Sequence, residues 1–199
     1  MNWSLGETRA LAVKAARGAD MDWGLADDAG FAVQWLEKHG APAVTALASL
    51  LDWYDRRNDG SAEIPDRRLC PVVVGTAMSD SKSVAAGPLG IVAQPLLLAP
   101  FVVMANPQRA WCLMWNDVEV KISQQGLQTS AQPNQLLSGG ADCRLEPGST
   151  FDAGNKRFRV PGSESSAMER LNIFAARTYA PATEQSRLAG AGAGLNDND

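Results

Sequence analysis

The residue types best suited to chemistry crowd near the end of the chain, where Arg177, Tyr179, Thr183, Glu184, Ser186 and Arg187 surround Pro181 and run into glycines at 190, 192 and 194. A guanidinium offers a planar fork for a carboxylate or phosphate, and Tyr and Glu can move protons once their pKa values are shifted. Gly190, Gly192 and Gly194 would let main-chain N–H groups approach an oxyanion with no side chain in the way. On this reading Tyr179 and Glu184 are the catalytic candidates, while Arg177, Arg187, Ser186 and the three glycines bind substrate. Such a set suits a metal-free lyase or isomerase reaction on a small anionic metabolite, with the tail folded back over the ligand. The same residues also describe a helix end, a proline turn and a short helix capped by Thr183, with Glu184 and Arg187 as a surface pair.

Two other clusters carry reactive types. Ser79-Asp80-Ser81-Lys82-Ser83 could hold a phosphate or carboxylate if it lies in a loop beyond a strand, although so polar a run is ordinarily solvated. Asp20-Met-Asp-Trp23-Gly-Leu-Ala-Asp27-Asp28 gathers four carboxylates around an indole, but Asp22 is a good N-cap and Asp27 and Asp28 suit a first helical turn. Trp23 beside Gly24 is either a hydrophobic staple or the wall of an aromatic pocket.

Composition narrows the chemistry. The single histidine, His39, and three scattered cysteines, Cys70, Cys112 and Cys143, do not assemble a zinc site, and any Ser-His-Asp or Cys-His device would have to use His39. His39 falls in Lys38-His39-Gly40, where a cation would complement the negative end of a helix and a glycine would cap it. The cysteines read as reduced, buried thiols, and no Gly-x-Gly-x-x-Gly or Walker loop is present, so neither metal nor cofactor is expected. A net charge of −4 attracts no phosphate backbone, and the basic pairs Arg56-Arg57 and Arg67-Arg68 sit beside Asp55, Asp59 and Asp66, so nucleic acid is not an expected partner. No run approaches the ~20 apolar residues that span a bilayer. The first residues lack the pattern of a secretory signal, which gives a cytoplasmic expectation with no membrane partner. A homo-oligomer or another protein partner stays open.

Several elements must position these groups. With 199 residues and a hydrophobic fraction of 45%, the chain is long and apolar enough to bury a core of its own. Ser4 and Glu7 form a capping box that opens a helix running to about Arg17 and stopping at Gly18. Leu25, Ala29, Phe31, Ala32, Trp35 and Leu36 recur at helical spacing to Lys38, and Gly30 within them implies a close helix crossing. Pro42 starts a third helix with Val44, Leu47, Leu51 and Tyr54 as its stripe. Residues 1–60 therefore read as a three-helix unit, and residues 61–199 as a mostly antiparallel sheet followed by a helix and a Gly-rich tail. That is an α+β fold, expected to form one unit overall.

Within the second part, Val72-Val73-Val74 reads as a short buried strand followed by a long loop from Gly75 to Gly90. Residues 94–105, with Pro95 and Pro100, read as an irregular or edge strand. Trp111–Trp115, Asn116-Asp117 and Val118–Ile122 spell a hairpin. Two further strands are expected near residues 143–145 and 156–160, with a long excursion at residues 124–141 that is either a lid or a plain loop. A last helix starts at Ser163 or Ser165 and buries Met168, Leu171, Phe174 and Ala175.

Lys14-Ala-Ala-Arg-Gly-Ala-Asp-Met-Asp-Trp-Gly-Leu-Ala-Asp-Asp-Ala-Gly30, Trp35-Leu36 and the segment from Arg177 to Asp199 together resemble domain of unknown function 3726, one of the numbered bacterial families without an assigned reaction. The resemblance implies a soluble bacterial protein and carries over no catalytic residue. Two readings of function follow. One is a small metal-independent enzyme acting on an anionic metabolite; the other is a non-catalytic accessory subunit whose C-terminal tail docks on a partner.

Overall fold

A computed structural model describes residues 3–58, 67–151 and 163–179. The first helix, α1 (Leu5–Gly18), is opened by the expected capping box: the Glu7 amide donates to Ser4 Oγ at 3.2 Å and the Ser4 amide to Glu7 Oε2 at 2.8 Å. Helix α2 (Trp23–Lys38) begins two residues before the expected Leu25, so Asp27 and Asp28 fall beyond its first turn. Asp22 holds the N-cap position but its side chain caps nothing. Helix α3 (Ala43–Asn58) follows Pro42, and its first amides are capped from a distance, with Ala43 and Val44 each donating to Glu37 Oε1 at 3.1 Å. The α1–α2 crossing is as close as Gly30 implies. A Cβ on Gly30 would lie 2.4 Å from Val13 Cγ2, so only glycine lets the two helices meet there.

Helix α4 (Pro71–Ser81) replaces the strand expected at Val72–Val74 and the first part of the expected loop. The three β-branched residues do not line one buried surface: Val72 is fully buried while Val73 is 45% exposed, as a helical turn distributes them. Pro71 in the first turn needs no amide partner, and Gly75 lets Phe101 lie against the helix backbone, so packing outweighs strand propensity. The strand expected over residues 94–105 is likewise helical, a 3-10 turn (Pro95–Leu98) running into α5 (Ala99–Ala105). Both prolines sit in first turns, where a ring is tolerated. Leu96, Leu97, Leu98, Phe101 and Val102 are buried on all sides, which explains why the segment shows no amphipathic period.

Strands β1 (Gly87–Val92), β2 (Trp111–Trp115), β3 (Val118–Ser123), β4 (Gly126–Thr129) and β5 (Ala141–Pro147) form one antiparallel sheet in the order β1-β5-β2-β3-β4. The expected hairpin is present, pairing Trp111 with Ile122 and Trp115 with Val118 around Asn116-Asp117. Its inner face carries Trp111, Leu113, Trp115, Val118, Val120 and Ile122, all buried; Glu119 is exposed on the other face. Strand β4 cuts into the excursion expected at residues 124–141, leaving a loop from residue 130 to 140. The strand expected near residues 156–160 lies outside the described residues.

The fold is therefore α+β, with a helical N-terminal region and a C-terminal helix, α6 (Ser163–Ala176), around an antiparallel sheet. Helix α6 returns to the N-terminal helices and packs on α1 and α3, burying Leu171 and Phe174 completely.

Candidate functional site

Two of the residues expected to do chemistry, Arg177 and Tyr179, fall within the described part, just beyond the end of α6. Thr183, Glu184, Ser186, Arg187, Gly190, Gly192 and Gly194 lie outside it. The Arg177 fork is filled by the chain itself: Nη1 donates to Asp55 Oδ1 at 2.7 Å and Nη2 to Asp55 Oδ2 at 3.0 Å. Asp55 stands on α3, and Arg177 also reaches the Gly18 carbonyl at the end of α1 at 3.4 Å. About two turns back along α6, Arg170 pairs with Asp52 at 2.5 Å. Both guanidiniums lie over the Phe174 ring, at 4.6 Å for Arg177 and 4.7 Å for Arg170. The bidentate contact with Asp55 raises the Arg177 pKa further, so this cation is fixed as a charged tie between helices.

Beside this tie lies a second arrangement built on the last turns of α1. Lys14 and Arg17 are three residues apart and so share one helix face. The Lys14 ammonium sits 5.8 Å from the Tyr179 ring centre, and the Arg17 guanidinium 4.4 Å from that of Trp23. Arg17 also donates to the Met21 carbonyl, which fixes it against the α1–α2 turn. Despite these contacts Trp23 stays 73% exposed and Tyr179 64% exposed. Tyr179, Lys14, Arg17 and Trp23 thus form a continuous strip in which each exposed ring is backed by a cation. Of these residues, Trp23 and Tyr179 were legible as candidates from type and position, while the two cations of α1 gave no signal until α6 brought Tyr179 to them.

The other sequence candidates dissolve into helix structure. Ser79–Ser83 closes α4, with Ser79 Oγ donating to the Gly75 carbonyl at 3.1 Å, Ser81 Oγ to the Ala77 carbonyl at 2.8 Å, and Lys82 in a left-handed turn at φ 48°. A helix C-terminus presents carbonyls and repels anions, so this cluster is placed against the role proposed for it. Asp27 pairs with Arg9 at 3.3 Å and Asp28 accepts from Thr76 Oγ1 at 2.7 Å, which ties α2 to α1 and α4. His39 is the C-cap of α2, as its sequence context implies. Burial lowers its pKa, and Nδ1 lies 2.7 Å from the Trp35 carbonyl. Because a carbonyl only accepts, Nδ1 carries the proton, and the ring lies tilted at 45° against Trp35 with centroids 4.2 Å apart.

One buried residue had no sequence signal. Gln94 is 4% exposed, holds a left-handed backbone at φ 48°, and its Oε1 meets no hydrogen-bond partner among the described residues. Its backbone N–H donates to the Ser138 carbonyl at 3.0 Å, locking the loop after β4 onto the 3-10 turn. Among the described residues, no group of three or more His, Cys, Asp or Glu side chains is placed to hold a metal, and no helix is long and apolar enough to cross a membrane.

Residues 3–79 match the model of a family described as "Protein of unknown function (DUF3726)". The matched stretch spans α1, α2, α3 and most of α4, including the run from Lys14 to Gly30. The segment from Arg177 onward lies outside the match. No curated protein and no solved structure matches the chain.

Proposed function

We propose that this protein is a non-catalytic interaction or accessory subunit that engages a protein partner through the Tyr179–Lys14–Arg17–Trp23 strip. The observation that carries the reading is the exposure of Trp23, 73%, on a ring backed by the Arg17 guanidinium. Trp, Tyr and Arg are the residues that dominate binding energy at protein interfaces, and here Trp23 and Arg17 stand on helices, with Tyr179 three residues past the end of α6. The alternative, an enzyme acting on an anionic metabolite, needs the Arg177 fork open to its substrate, whereas Asp55 already takes a hydrogen bond from both Nη1 and Nη2. The three free, buried thiols, at Cys70, Cys112 and Cys143, suit a reducing compartment, so we place the protein in the cytoplasm.

A photo-crosslinking amino acid at position 23, with position 104 on α5 as an exposed control, tests this in cells that express the protein. One defined partner is expected to crosslink from position 23 and not from 104. A small organic acid that raises the melting temperature of the wild-type protein, and not of Arg177→Lys, would overturn the reading in favour of the enzyme.

A further inference from the structure

We infer that the partner segment seated on this strip is acidic, with apolar residues between its carboxylates. This rests on the interaction reading above and specifies its chemistry. The surface cations around the strip are already matched: Arg9 to Asp27, Arg170 to Asp52 and Arg177 to Asp55. Lys14 and Arg17 differ. Among the described residues neither has a carboxylate partner; each is held over an exposed aromatic ring instead.

That placement serves an acidic segment in two ways. A cation stacked on a ring keeps N–H donors free at its edge, because the ring's face offers no hydrogen-bond acceptor of carboxylate strength. The rings meanwhile present flat apolar surface next to those donors, which suits aliphatic or aromatic side chains spaced between carboxylates. The strip stands out locally within a chain of net charge −4, so a partner carrying one acidic patch is drawn to this face and repelled elsewhere. A single-stranded nucleic acid would also seek rings and cations. Asp20 and Asp22 precede Trp23 in the chain, however, and would repel a backbone charged at every nucleotide more than carboxylates spaced by apolar residues.

The test uses the full-length chain and a fluorescein-labelled decapeptide alternating Glu and Leu, read by fluorescence anisotropy beside a Gln-Leu counterpart. The expected result is saturable binding of the Glu peptide only, weakened at least tenfold by Lys14→Glu and by Trp23→Ala, and weakened by added salt. Lys14 is exposed and its ammonium lies over Tyr179, so Lys14→Glu should keep the wild-type melting temperature; Tyr179→Ala supplies a second variant of the same face. Equal affinity of both peptides, or no loss on Lys14→Glu, overturns the proposal. So does tighter binding of a single-stranded oligonucleotide or of phosphatidylglycerol vesicles through the same residues. Crosslinking from position 23 to a partner without peptide binding would reject the acidic chemistry alone; no crosslink would reject the interaction reading itself.

Discussion

Burial decides the chemistry of the single residues. The Cys112 and Cys143 thiols are pushed up to about 12, in each case first by burial, and Cys70 is shifted in the same direction for the same reason. A thiolate is the reactive form, so native protein should leave all three unreacted toward a disulfide reagent at pH 8, and unfolded protein should expose three. Fast labelling of one native cysteine would contradict this burial. His39 gives a pH effect of definite sign. Its folded pKa is lowered, mainly by burial and further by the neighbouring Lys38, against the opposing hydrogen bond to Trp35. The unfolded chain therefore binds a proton first as pH falls. His39 should cost no stability above its ordinary value of about 6.5, and stability should fall below that until the folded pKa is reached. Denaturant melts of wild type and His39→Gln between pH 5 and 8 should converge at the upper end and diverge at the lower. Parallel curves across that range would remove His39 as the cause.

At the scale of elements, the N-terminal helices, the hairpin and α6 were legible because their signals are local. A capping box, a stripe at helical spacing and Asn116-Asp117 between β-prone runs each specify a conformation without distant help. Residues 72–74 and 94–105 were not legible, since Val72-Val73-Val74 favours a strand until Phe101 packs against Gly75, and a segment buried on all sides has no period to read. The strip was hidden for a related reason: Lys14 and Tyr179 are neighbours only after α6 has crossed α1. That crossing turns on Gly18. A Cβ there would sit 1.8 Å from the Phe174 carbonyl oxygen, a backbone atom that cannot swing aside. Gly18→Ala should force α6 away from α1 and destabilise the protein by about 3 kcal/mol or more, well above the gain of under ~1 kcal/mol that alanine brings in a helix. A variant as stable as wild type in urea would show that the two helices do not meet so closely.

For the whole molecule, the division of labour differs from a helical unit followed by a sheet unit. The last helix closes the first three: Leu171 and Phe174 are fully buried in the helical layer, and Arg170 and Arg177 tie it to Asp52 and Asp55 on α3. The two ion pairs contribute little, since their partners are 32% to 43% exposed and such pairs are worth at most ~1 kcal/mol each. Apolar burial contributes more. Two fully buried side chains amount to roughly 3–6 kcal/mol, comparable with the net stability of a small domain. A fragment of residues 1–60, which contains α1, α2 and α3 but no α6, should therefore be helical only in part and melt without a cooperative transition. Adding a synthetic peptide of residues 163–179 in excess should restore helicity and a sharp melt, because it returns Leu171 and Phe174 to the α1–α3 surface. A Phe174→Ala peptide should fail to do so. If residues 1–60 alone unfold cooperatively at the melting temperature of the full chain, the helical layer is complete without α6, and the strip that Tyr179 shares with Lys14 would rest on an optional contact rather than on the fold itself.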